Sequence, residues 1–167
     1  MLEIDIDSDA EWDSRTGWDS LVREAAEAAI AESAFPQLTT MQRPVELSVR
    51  LAGDAEVRTL NAEWRGKNKP TNVLSFPQLD PAEVGRIEGD GPEVMLGDLV
   101  LARGVCQREA AEKAVAIEDH AAHLIVHGTL HLLGYDHQDA RSAEDMESRE
   151  IRALARIGVS DPYRDRG

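Results

Sequence analysis

Residues His127 to His137, HGTLHLLGYDH, hold the strongest chemical pattern in this 167-residue chain. His127 and His131 are four residues apart, which on an α-helix places them side by side with Cβ atoms roughly 5–6 Å apart. Gly134 follows, a residue able to take the left-handed conformation that ends a helix and turns the chain back. His137 comes three residues after it, so three imidazoles can converge on one metal ion. Three nitrogen ligands leave a tetrahedral metal with a fourth position open to water or substrate, the pattern of catalytic rather than structural zinc. Imidazoles also accept nickel, copper or iron, so the pattern does not fix the metal.

Two further histidines, His120 and His123, fall in the same narrow sector of that helix. A lone histidine on an apolar face is usually a satisfied core residue, but four stacked imidazoles make a poor core without something to bind. The ligand set is read as His127, His131 and His137. His123 is a candidate for supporting a ligand, because ligand histidines need oriented acceptors, and His120 has no assigned role. In the zinc-peptidase pattern HExxH the glutamate after the first histidine activates water. Here that position is Gly128, and the peptidase reading falls. Asp136, beside His137, is either a supporting carboxylate, an alternative base or a turn former. Asp98 interrupts an apolar strand, and a buried carboxylate needs a partner such as a ligand histidine or Arg65.

The elements that must hold these residues alternate. Leu2, Ile4 and Ile6 recur at period two in a short strand over 1–7, and a helix follows over 17–33. VELSVRLA at 45–52 is again strand-like, and Asp54 is read as the cap of a helix that Gly66 ends. NVLSFP at 72–77 is a short strand. The segment 78–93 shows no apolar period and reads as a mobile flap or functional loop. A largely apolar strand over 93–102 precedes helices at 103–113, 117–133 and 141–157, and the tail from 159 reads as frayed. The fold class is therefore α/β (α+β), a small mixed sheet packed against helices, in one domain spanning 1–167.

Composition narrows the function. With 42% hydrophobic residues, a chain of this length buries roughly 70% of its unfolded surface. The single cysteine, Cys106, excludes an internal disulfide framework and a cysteine-ligated cluster. No run is long and apolar enough for a membrane span, and the N-terminus lacks the basic region and apolar core of a secretion signal, so a cytoplasmic protein is expected. The net charge of −14 counts against nucleic acid as a partner. Against this stands one compact basic island, RGKNK, with Arg65, Lys67 and Lys69. Charges closer than the ~8 Å Debye length outweigh a distant acidic face.

HGTLHLLGYDH, WRGKNKPTNVLSFP (64–77) and LGDLVLA (96–102) occur in this order, and together they resemble the bacterial YbeY family of ribosomal-RNA maturation endoribonucleases. The resemblance implies a zincin-like fold and one zinc ion on His127, His131 and His137, with Arg65 functionally essential. It further implies cleavage of single-stranded RNA, with roles in small-subunit rRNA maturation and ribosome quality control and with ribosomal proteins as partners. Zinc would then act as a Lewis acid on a phosphoryl oxygen or lower the pKa of bound water towards ~7. Arg65, with His127 and His131, would form the catalytic set, its planar fork pairing with phosphate. Lys67 and Lys69 would hold the flanking backbone as point charges. Two other readings stay open: a ribosome-assembly factor with a structural zinc site, and a metallohydrolase of another substrate.

Overall fold

In the computed structural model, which describes residues 1–12 and 17–164, the expected alternation builds one four-stranded sheet. β1 (Leu2–Ser8) pairs in parallel with β2 (Val45–Ala52). β3 (Val73–Pro77) is an edge strand and runs antiparallel to β4 (Val94–Ala102), which is parallel to β2. The order is β1-β2-β4-β3. Period-two patterning decides the inner face: Val45, Leu47, Val49 and Leu51 are all buried, while the residues between them are only half-buried.

Helices cover both faces unequally. On the inner face lie α1 (Trp18–Ala31) and α5 (Ile117–Leu132), with α6 (Ala140–Arg156) packed on both. Helix α5 is buried on nearly every side, because it lies among α1, α4 (Arg103–Lys113), α6, β3 and β4. It approaches the sheet closely at Gly128, where a Cβ would stand 2.8 Å from Leu99 Cδ2. On the other face α2 (Asp54–Arg65) covers only the β3–β4 end, over a small core of Ala52, Val57, Leu74, Val100 and Ala102.

Three expectations need correction. Asp54 is the first residue of α2 rather than its cap. Its carboxylate accepts from the Val105 N–H (3.1 Å) and from Arg108 (3.1 Å), so it caps α4, and Gly104 leaves room for it. The segment 78–93 holds a short helix, α3 (Pro81–Val84), closed by a capping box between Asp80 and Glu83. Val84 is buried, Leu79 and Ile87 pack on the core, and Arg43 donates to the Pro92 and Glu88 carbonyls. Three apolar anchors this far apart generate no period. The tail is also placed as far as Arg164: Val159 packs on the core and the Tyr163 hydroxyl donates to Glu150 (2.8 Å), while 165–167 lie outside the described residues.

Candidate functional site

The last turn of α5 and the turn after it assemble the three histidines. His127 and His131 face each other with Nε2 atoms 3.0 Å apart. At Gly134, φ is +97°, and the chain reverses so that the His137 ring lies 5.3 Å from that of His127 and 5.2 Å from that of His131. One nitrogen of each ring lies within 4.8 Å of the other two. Donors so spaced fit a single ion with metal–nitrogen bonds of ~2.0–2.1 Å. Burial, with repulsion from His127 and His137, pushes the His131 pKa down, which favours the neutral, ligating form.

Glu150 on α6, a residue the sequence reading missed, orients this cluster. It is buried (1% exposed); one carboxylate oxygen lies 2.8 Å from His127 Nδ1 and 3.2 Å from His123 Nε2, and the other accepts from Tyr163. With Nδ1 committed to the carboxylate, His127 turns Nε2 toward His131, the arrangement in which a carboxylate fixes tautomer and ring orientation of a ligand. Burial pushes the Glu150 carboxyl up, but the hydrogen bonds and charges of His123 and His127 outweigh it and hold the carboxyl at about 2. A signal was present in the sequence: Glu150 falls on the stripe of α6 that also buries Met146, Ala153 and Leu154.

The cluster opens into a cavity of about 1420 Å³ that crosses the free edge of β3. His120, His123, His127, His131 and His137 line one side, and Trp64 and Arg65 at the end of α2 line the other. Among the described residues no hydrogen bond or ion pair engages the Arg65 guanidinium, which stays available to a ligand. Lys67 and Lys69 lie instead on the exposed turn after α2, outside the lining. That turn is held by hydrogen bonds from Asn61 to the Lys69 carbonyl and from Arg58 to Asn68. The second cation of the cavity is Lys113, at the end of α4.

The remaining expected residues divide. Asp136 lines the cavity and accepts the His137 N–H (2.7 Å). Asp98 also lines it, but on the far face of the sheet: it is opposite Phe76 in register and alternates with Leu99, so it meets Gln78 (3.5 Å) rather than a histidine. His123 shares Glu150 with His127. His120 lies 2.8 Å from Glu109, which also accepts from Asn72. Burial lowers its pKa against the opposing pull of Glu109. Burial, with Glu109 nearby, pushes the Cys106 thiol up to about 12, so it is no nucleophile.

Comparison with known proteins agrees with this architecture. The chain resembles the solution structure of TM1509 from Thermotoga maritima over 94% of its length and 91% of that chain, with TM-score 0.55 and 21% identity, a likeness of fold. It is 48% identical to Endoribonuclease YbeY of Sphingopyxis alaskensis, covering 99% of both chains. Identity to the proteins of the same name is 49% for Rhizorhabdus wittichii (98% of this chain, 97% of that one) and 50% for Novosphingobium aromaticivorans (98% and 95%). The model of the Endoribonuclease YbeY family matches residues 5–158. Carrying that match across both the histidine cluster and the arginine that faces it, the chain belongs to the YbeY family.

Proposed function

We propose that this protein is a metal-dependent endoribonuclease that cuts single-stranded RNA, acting in the cytoplasm on small-subunit rRNA precursors and in ribosome quality control, with ribosomal proteins as partners. The observation that carries the reading is the shared cavity: three converging imidazoles open into it, and Arg65 lines its opposite side. An all-nitrogen set of three donors suits zinc, which would supply Lewis acidity toward a phosphoryl oxygen and acidify its bound water. The protein's own groups do the rest. Arg65 pairs with the nonbridging oxygens of the scissile phosphate and stabilises the charge that gathers there. Lys113 holds a neighbouring phosphate. Glu150 keeps His127 in the ligating tautomer, and Asp136, which lines the cavity beside His137, is the carboxylate that would take a proton from an attacking water.

An assembly factor with a closed structural zinc site would need a fourth protein ligand. Among the described residues the cluster has three, and it faces open space. Metal analysis alongside cleavage of a labelled single-stranded RNA tests the proposal. His131→Ala is expected to lose both metal and cleavage, and Arg65→Ala to keep the metal and lose cleavage. Intact metal in His131→Ala, or equal cleavage by all three proteins, would overturn it.

A further inference from the structure

Trp64 has the most exposed large apolar side chain among the described residues, at 69%, whereas Trp12 and Trp18 are buried. A single exposed hydrophobe is ordinary on a protein surface. Trp64 differs in being continuous with an apolar wall, since Leu60, Phe76 and Val100 line the same cavity. Phe76 meets the indole edge-on, with centroids 6.2 Å apart and planes at 68°. That contact engages at most one face of the indole, and at this exposure the rest of the ring is open to a ligand.

The neighbour in sequence sharpens the point. Trp64 and Arg65 are consecutive on one helix, so their side chains diverge by about 100° while sharing one stretch of backbone. A nucleotide likewise sends its phosphate and its base away from the ribose in different directions. We propose that Trp64 is a stacking platform for one unpaired nucleobase of the RNA, next to the phosphate that Arg65 holds. The proposal rests on the endoribonuclease reading above and adds to it a positioning residue for the substrate. Every base has a π-face, so the platform is tolerant of sequence but demands a base free of its own stack. A paired strand cannot supply one, and Trp64 thereby contributes to single-strand selectivity.

The test uses single-stranded ten-nucleotide RNAs, intact or with one abasic residue at successive positions, and measures kcat and KM for the wild type, Trp64→Phe and Trp64→Ala. For the wild type, one abasic position is expected to raise KM roughly 5- to 150-fold, the range for loss of one stacked base, with kcat little changed. Trp64→Ala is expected to raise KM on intact RNA by a similar factor and to make that position silent, while Trp64→Phe recovers most of the loss. A structural defect would not produce dependence on one base position or its disappearance. If the wild type cleaves RNA but Trp64→Ala keeps the wild-type KM, or keeps the same position dependence, the platform is refuted and the endoribonuclease reading stands. If the wild type cleaves no RNA, both fall together.

Discussion

Replacing Glu150 separates its role as a core acceptor from its role as the carboxylate behind His127, the proposed metal ligand. Its two oxygens serve three buried or half-buried groups: His127 at 2.8 Å, His123 at 3.2 Å and the Tyr163 hydroxyl at 2.8 Å. Glutamine has the same shape. Its carbonyl can take the oxygen facing the histidines, and its amide can donate to the Tyr163 oxygen, so contacts survive while the negative charge is lost. Loss of such a supporting carboxylate lowers metal affinity about 10- to 100-fold, or about 1.4–2.7 kcal/mol. Alanine instead leaves two or three donors without an acceptor, at ~1–3 kcal/mol each. That is a large fraction of the ~5–15 kcal/mol that stabilises a typical domain.

The expected pattern is therefore a split. In the presence of a chelator Glu150→Gln should unfold below the wild-type temperature, because the lowered carboxyl pKa means that the charge itself stabilises the fold, but above Glu150→Ala, and it should release metal to a chromophoric competitor at about 10- to 100-fold lower competitor concentration. Glu150→Ala should lose both stability and metal. Wild-type metal affinity in Glu150→Gln would refute the reasoning. So would metal-free Glu150→Gln unfolding as early as Glu150→Ala, because Glu150 would then be a core group with no separate role in the cluster.

Two further outcomes follow from packing and charge. Gly128→Glu recreates the peptidase pattern in sequence, but a Cβ there meets Leu99 at 2.8 Å and the side chain would enter the core; overpacking alone costs ~1–3 kcal/mol. A lowered denaturation midpoint in urea with no casein hydrolysis is expected, and a fully stable variant would contradict the close approach of α5 to the sheet. Hydrogen bonding from Arg156, opposed by burial and aided by Arg152, holds the Glu32 carboxyl below its ordinary 4.5. A lowered folded pKa gives stability that is present above about pH 4.5 and is lost as pH falls through the folded value. Glu32→Gln should therefore lower Tm at pH 7 and leave it unchanged near pH 2; an equal loss at both would refute the ion-pair account.

What could be read from the sequence follows the range of the interactions. The candidate ligand set depends on one helix and one turn: the spacing of His127 and His131 and the break at Gly134 are local geometry, so the three rings converge. Strands β1, β2 and β4 and the long helices have periods that survive packing. The carboxylate behind His127 was missed although Glu150 falls on the buried stripe of α6, because nothing local shows that this stripe packs against α5. Strand parity sends Asp98 to the face away from α5, whereas the crossing of α6 over α5 delivers Glu150 from 23 residues away. Lys113 and Tyr163 enter the cavity through the same long-range packing. Lys67 and Lys69 lie outside the cavity lining for the opposite reason: adjacency to Arg65 in sequence does not carry them past the turn at Gly66, where φ is +68°.

The acidity of the chain, the strongest objection to an RNA substrate, acquires a specific form in the structure. The charged side chains lining the cavity are Arg65 and Lys113 against Asp98 and Asp136, so its wall is formally neutral in a molecule of net charge −14. A neutral wall does not repel phosphate at contact distance, but neither does it attract it strongly. The divalent ion that the histidines suit would supply the missing positive charge, and two side-chain cations plus one ion limit the phosphate contacts to about three. Each contact contributes roughly 0.7 to the slope of log affinity against log salt for a single strand, so a slope near −2 is expected, and metal-free protein should bind single-stranded RNA more weakly and with a shallower slope. A slope steeper than about −4, or equal affinity with and without metal, would mean that RNA runs over cations outside this cavity. If the shallow slope holds, affinity in this acidic protein must come from elsewhere, and stacking on an exposed indole is the kind of contact that salt does not weaken.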